Sequence, residues 1–99
     1  GQERKSLSFG DLTLDLLKLQ VREGSEQIPV SVLEFRLLKF FVENADRVLS
    51  RAEILEAIWK DSVVSDRTVD THIASLRRKI PALDSRLSTV YGAGYMLKR

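Results

Sequence analysis

A chain of 99 residues with a formal net charge of +2, 43% hydrophobic and 30% charged side chains has the balance of a folded globular protein and room for one domain, residues 1–99. It contains no cysteine, which excludes disulfides, thiolate metal sites and thiol chemistry. No apolar run approaches the ~20 residues of a membrane helix. Charge is unevenly placed: residues 1–65 carry nine basic and eleven acidic side chains, residues 66–99 seven and three. A basic C-terminal third suits a polyanion, and it equally suits a soluble protein with an uneven surface. Residues 1–10 are polar and mixed in charge with no apolar secretory core, which fits an intracellular, cytoplasmic chain. Gly1-Gln2 has the look of a cleaved tag, in which case the chain is a fragment.

Residues 1–29 are expected to form a small antiparallel sheet. Leu12, Leu14 and Leu16 alternate with Thr13 and Asp15, and Leu17, Leu19 and Val21 alternate with Lys18, Gln20 and Arg22. Gly10-Asp11 and Glu23-Gly24-Ser25 supply turn chemistry, and Gln27-Ile28 reads as a last strand before Pro29. Residues 30–80 read as three helices. Ser31-x-x-Glu34 is a capping box, followed by Val32, Phe35, Leu38 and Val42 on one face, with Leu37 and Phe41 widening it; this helix is expected to end near Asn44. Val48-Leu49 suits a single short pairing. Ser50-x-x-Glu53 is a second capping box, opening a helix that carries Ile54, Leu55, Ile58 and Trp59. After a connector at residues 60–65, Asp66 is the expected N-cap of the third helix, residues 66–80, whose Val69, Ile73, Leu76 and Ile80 fall in one sector; Pro81 stops it. Residues 81–99 then read as a β-hairpin, Leu87 to Val90 and Tyr95 to Leu97 around Tyr91-Gly92-Ala93-Gly94. Two helices joined by a short connector and followed by a hairpin describe an α+β helix-turn-helix with a wing.

Catalysis has little material here. There is one histidine and no phosphate-cradling glycine motif, and His72 has no second histidine or cysteine with which to build a zinc site. The chain is therefore read as not an enzyme, with no cofactor and no metal. The sharper feature is the third helix. Opposite its apolar sector lie Arg67, Thr71, Ala74, Ser75 and Arg78, with Thr68 at one edge. Short polar side chains between cations permit close approach to a duplex and bonds to phosphate or base edges. Arg77, Arg78 and Lys79 also suit the C-terminal end of the helix dipole, so a plain solvated face explains the same residues. The hairpin adds Gly92 and Gly94, which allow close backbone approach, and Tyr91 and Tyr95, which offer phenol hydroxyls to a phosphate backbone or the minor groove. A plain hairpin with packed tyrosines is the alternative.

The run Arg67-Thr68-Val69-Asp70-Thr71-His72-Ile73, then Leu76-Arg77-Arg78-Lys79, then Thr89-Val90-Tyr91-Gly92-Ala93-Gly94-Tyr95, resembles the C-terminal effector domain of OmpR/PhoB-type response regulators, as do Val30-Ser31-x-x-Glu34-Phe35-x-Leu37-Leu38 and the segment from Val48 to Trp59. The resemblance covers nearly the whole chain. It implies a winged helix with an N-terminal four-stranded antiparallel sheet, three helices and a C-terminal hairpin wing. It also implies sequence-specific binding of double-stranded DNA, with the third helix in the major groove and the wing at the adjacent minor groove, often on direct-repeat half-sites. Under it Trp59, Arg67, Thr68, His72 and Arg77 are phosphate contacts, Thr89 and Tyr95 hold the backbone near the wing, and Asp70, Thr71 and Ser75 lie near base edges. Arg78, Lys79, Tyr91 and Gly92 complete the expected DNA-facing set. The loop at 60–65 is an expected contact for RNA polymerase, and a receiver domain normally precedes such a domain but is absent from this chain. Some family members carry arginine or another long polar residue where Ala74 and Ser75 stand, and several place an arginine at the position of Tyr91. The alternative function is a winged-helix module that docks on an acidic protein without touching DNA.

Overall fold

The computed structural model describes residues 5–99, so the expectation for residues 1–4 lies outside what is described. It opens with an antiparallel meander, β1 (Ser6–Phe9), β2 (Leu12–Asp15), β3 (Gln20–Glu23) and β4 (Glu26–Ile28), paired in chain order. Alternation puts Leu7, Phe9, Leu12, Leu14 and Val21 on the buried face, and the register brings Leu7 opposite Leu14 and Leu14 opposite Val21. Between β2 and β3 the chain departs from the sequence expectation. Residues 16–19 form a turn rather than a continuing strand, because the Asp15 carboxylate accepts hydrogen bonds from the Leu17 and Lys18 N–H groups at 2.9 Å each. Leu17 is 70% exposed in consequence, and Leu19 is held at φ 55°, a left-handed conformation that costs a leucine roughly 1–2 kcal/mol.

Three helices follow: α1 (Val32–Glu43), α2 (Arg51–Ile58) and α3 (Asp66–Lys79). Both capping boxes form, Ser31 with Glu34 and Ser50 with Glu53. Each satisfies two helix-end groups reciprocally, which is why α2, only eight residues long, has a defined start. The N-cap of α3 is Ser65, not Asp66; Asp66 sits inside the first turn, where its charge still favours the helix dipole. Val32 is half-exposed, so the buried side of α1 is set by Phe35, Leu37, Leu38, Phe41 and Val42. On α3, Val69, Ile73, Leu76 and the capping Ile80 are fully buried.

A 3₁₀ turn at Pro81–Leu83, not anticipated from the sequence, buries Leu83 and leads into the hairpin of β5 (Leu87–Val90) and β6 (Gly94–Leu97). Leu49 pairs with Tyr95 through two backbone hydrogen bonds of 2.8 and 2.9 Å, so the hairpin is tied to the strand-like segment that precedes α2. Gly94 permits this contact. A Cβ built there would stand 2.0 Å from the Leu49 carbonyl oxygen, and φ is 146°. The close approach for which the sequence singled out Gly94 is therefore to the chain's own backbone. The core is continuous from the sheet through the three helices to Leu87, Tyr95 and Leu97 of the hairpin. No helix among the described residues is long and apolar enough to cross a membrane.

Candidate nucleic-acid interface

On α3, Arg67, Thr71, Ala74 and Arg78 follow one another at steps of four, three and four residues. At 100° per residue they form a single stripe, directly opposite Val69, Ile73, Leu76 and Ile80. All four stripe residues are exposed while the opposing four are buried. The two arginines stand three turns apart, about 16 Å along the axis, and neither has an ion-pair partner among the described residues. The Thr71 hydroxyl donates to the Arg67 carbonyl at 3.0 Å, which leaves its oxygen able to accept and its methyl facing out. The result is an uncharged, short-chained strip between two free cations.

The neighbouring polar residues of α3, several of the expected DNA-facing residues among them, are hydrogen-bonded to other parts of the chain. Ser75 donates its hydroxyl to Glu34 Oε2 at 2.6 Å, and Lys79 Nζ lies 2.7 Å from Glu34 Oε1. The Ser31 backbone N–H donates to the same Oε1 at 2.8 Å. Burial would raise the Glu34 carboxyl, but these donors outweigh it and hold it at about 2, against an ordinary 4.5. Asp70, expected near base edges, instead turns toward Arg51, which holds its two carboxylate oxygens at 2.8 and 3.3 Å, and accepts the Tyr95 hydroxyl at 2.5 Å. These bonds, Arg51's first, keep the Asp70 carboxyl below its usual range. Arg77 spends Nε and Nη2 on the Leu87 carbonyl at 2.9 and 2.7 Å and Nη2 also on Thr89 Oγ1 at 3.1 Å; its role is an internal brace, with Nη1 left over. Tyr95 is buried, and burial raises its phenol, with the Asp70 bond adding to the effect. It ties β6 of the hairpin to α3 from within the core.

Other expected contacts keep their access. His72 Nδ1 pairs with the Thr68 carbonyl at 2.8 Å, and the ring meets the Trp59 indole edge-on with centroids 5.2 Å apart. Trp59 is mostly buried, yet its indole N–H has no partner among the described residues and none of their buried polar side-chain atoms is unsatisfied, so the N–H reaches the surface. Tyr91, at the wing tip, is 93% exposed, and Gly92 beside it has φ 81° with open space around its α-carbon. The connector before α3 exposes Val63 completely. Among the described residues no group of histidine or carboxylate side chains is placed to hold a metal ion.

In the sequence Glu34 reads only as a capping residue. A signal was available: Glu34, Leu38 and Phe41 share the i, i+4, i+7 spacing of one buried helix side, and a carboxylate on that side needs partners.

An antiparallel sheet, three helices and a hairpin pinned beside an exposed helix face define a winged helix-turn-helix domain. The family described as "Transcriptional regulatory protein, C terminal" matches residues 25–97, and the chain belongs to it. This is the OmpR/PhoB-type family of regulatory domains, not a class of enzyme. Among curated relatives, response regulator MprA of a Mycobacterium species is 42% identical over 101 residues, covering 99% of this chain and 44% of that protein. The phosphate regulon transcriptional regulatory protein PhoB of Rhizobium meliloti is 37% identical over 95 residues, covering 93% and 42%. The chain thus spans less than half the length of these relatives. Among solved structures, the Klebsiella pneumoniae RstA DNA-binding domain in complex with the RstA box has a TM-score of 0.85 at 30% identity, covering 96% of this chain and 98% of that one. The Thermotoga maritima response regulator DrrB, an OmpR/PhoB homolog, has a TM-score of 0.84 at 35% identity, covering 98% and 46%.

Proposed function

We propose that this chain is the sequence-specific, double-stranded DNA-binding part of a bacterial two-component transcription regulator and works by binding, not catalysis. The observation that carries the reading is the exposed stripe of α3, short and uncharged between the free cations Arg67 and Arg78. In the major groove Thr71 and Ala74 meet base edges while the arginines neutralise phosphates and release counterions. Thr68, the His72 ring and the Trp59 N–H flank the stripe as further phosphate contacts, and Tyr91 with Gly92 meets the adjacent minor groove. Asp70, Ser75, Arg77, Lys79, Thr89 and Tyr95 serve by holding α3 and the wing in place. That the RstA DNA-binding domain was solved in complex with the RstA box supports DNA as the partner.

Three further parts of the reading rest on family membership. A receiver domain accompanies this domain in the whole protein, pairs of copies occupy direct repeats in the cytoplasm, and the 60–65 loop, with Val63 outermost, meets RNA polymerase. Selection of duplexes from a random pool, followed by affinity against salt, tests the core of the proposal. The expected outcome is a defined half-site and a log–log slope of about −2 to −4, at about 0.9 per phosphate neutralised. No enrichment and a flat slope would refute it and leave the stripe to an acidic protein partner.

A further inference from the structure

We infer that Tyr95, Asp70, Arg51 and Arg77 form a clamp that fixes the angle between the wing and α3, so that helix and wing engage the two grooves as one rigid body; this rests on the DNA-binding reading above. The clamp has two separate points of attachment. At the first, the buried Tyr95 of β6 donates its hydroxyl to Asp70 of α3, and Arg51, the first residue of α2, grips both oxygens of the same carboxylate. At the second, Arg77 reaches from α3 to the Leu87 carbonyl and the Thr89 hydroxyl of β5. Asp70 and Arg77 are seven residues apart, about 10 Å along the helix.

One attachment leaves a hinge; two on different strands define an orientation. Apolar packing is non-directional, whereas hydrogen bonds to charged groups are short and angle-dependent. The Tyr95 ring joins the two points, with the guanidinium carbons of Arg51 and Arg77 at 5.8 and 5.6 Å from its centroid. The backbone pairing of Tyr95 with Leu49 then secures the wing to the chain entering α2. The four side chains are positioning residues: each is hydrogen-bonded to another element of the chain and acts through the element that it holds. A wing fixed beforehand need not be ordered on binding, so the affinity gained from its groove is retained rather than spent on immobilisation.

Tyr95→Phe removes the hydroxyl and keeps the ring. Thr89→Val removes the Arg77–Thr89 hydrogen bond, leaves those to the Leu87 carbonyl, keeps the shape, and serves where the first variant is poorly folded. Each is compared with wild type on two duplexes, the pool-selected site and the same site truncated to lack the wing-side minor groove, with affinities referred to the folded fraction by thermal unfolding. The expected result is a loss of about fivefold on the full duplex, the scale of one such hydrogen bond, and less than twofold on the truncated one. Equal losses on both duplexes, or none on either, overturn the clamp. Wild-type protein that retains neither duplex overturns the DNA-binding reading and the clamp with it.

Discussion

Replacing Glu34 with glutamine removes a buried charge that joins α1 to α3 while keeping nearly the same shape. Its carboxyl stands at about 2 in the folded chain against 4.5 ordinarily, a difference worth about 3 kcal/mol at 1.36 kcal/mol per pH unit. Lys79, its cationic partner, is 40% exposed, so solvent screening trims the figure to about 2 kcal/mol. The sign follows from the direction. A carboxylate held low in the folded state stabilises fully above the unfolded value near 4.5, and that stability drains away as pH falls toward 2. Glu34→Gln is therefore expected to unfold about 10 °C lower than wild type at pH 7, on a scale of about 4–8 °C per kcal/mol for a chain of this size. The gap should shrink steadily between pH 4.5 and pH 2. Urea or thermal unfolding of both proteins across that range provides the measurement. A gap that stays constant with pH would show that the loss is one of packing and that the ionised carboxylate contributes nothing.

Two further outcomes follow from the geometry. Gly94→Ala should cost several kcal/mol or abolish folding, since its Cβ would collide with the Leu49 carbonyl. Gly92→Ala, in open space but at φ 81°, should cost only about 1 kcal/mol; denaturant titration separates the two, and similar losses would refute the close-approach argument. Arg78→Ala should weaken binding to all duplexes by a similar factor and reduce the salt slope by about one, whereas Thr71→Val should reorder the preferred sequences at little cost in slope; both are read by repeating the selection and the salt titration.

The wing, the helix order and both capping boxes were legible because each is local. Hydrophobic period, reciprocal Ser and Glu at fixed spacing, and glycines at a turn all lie within a few residues of one another. The turn at residues 16–19 was missed because leucines at alternating positions imitate a strand, and only the Asp15 carboxylate bonding two N–H groups ahead distinguishes them. The partners of the polar residues on α3 were not legible. Ser75 meets Glu34 across 41 positions and Tyr95 meets Asp70 across 25, contacts set by how the elements pack and not by any neighbour in sequence. Asp70, Ser75, Arg77 and Lys79 consequently read as unpartnered groups, although each is hydrogen-bonded to another element, Asp70 and Lys79 while still partly exposed.

Those engagements have a kinetic consequence on the proposed reading. With Arg77 and Lys79 of α3 already occupied, and Arg51 of α2 with them, α3 keeps only Arg67 and Arg78 as loose cations with which to cling to arbitrary sequence. Dwell time on unrelated DNA should be brief and scanning fast, and a lone copy should leave even its own target quickly. Lasting occupancy then depends on a second copy bound alongside, which makes the spacing of adjacent targets as decisive as the bases within either one.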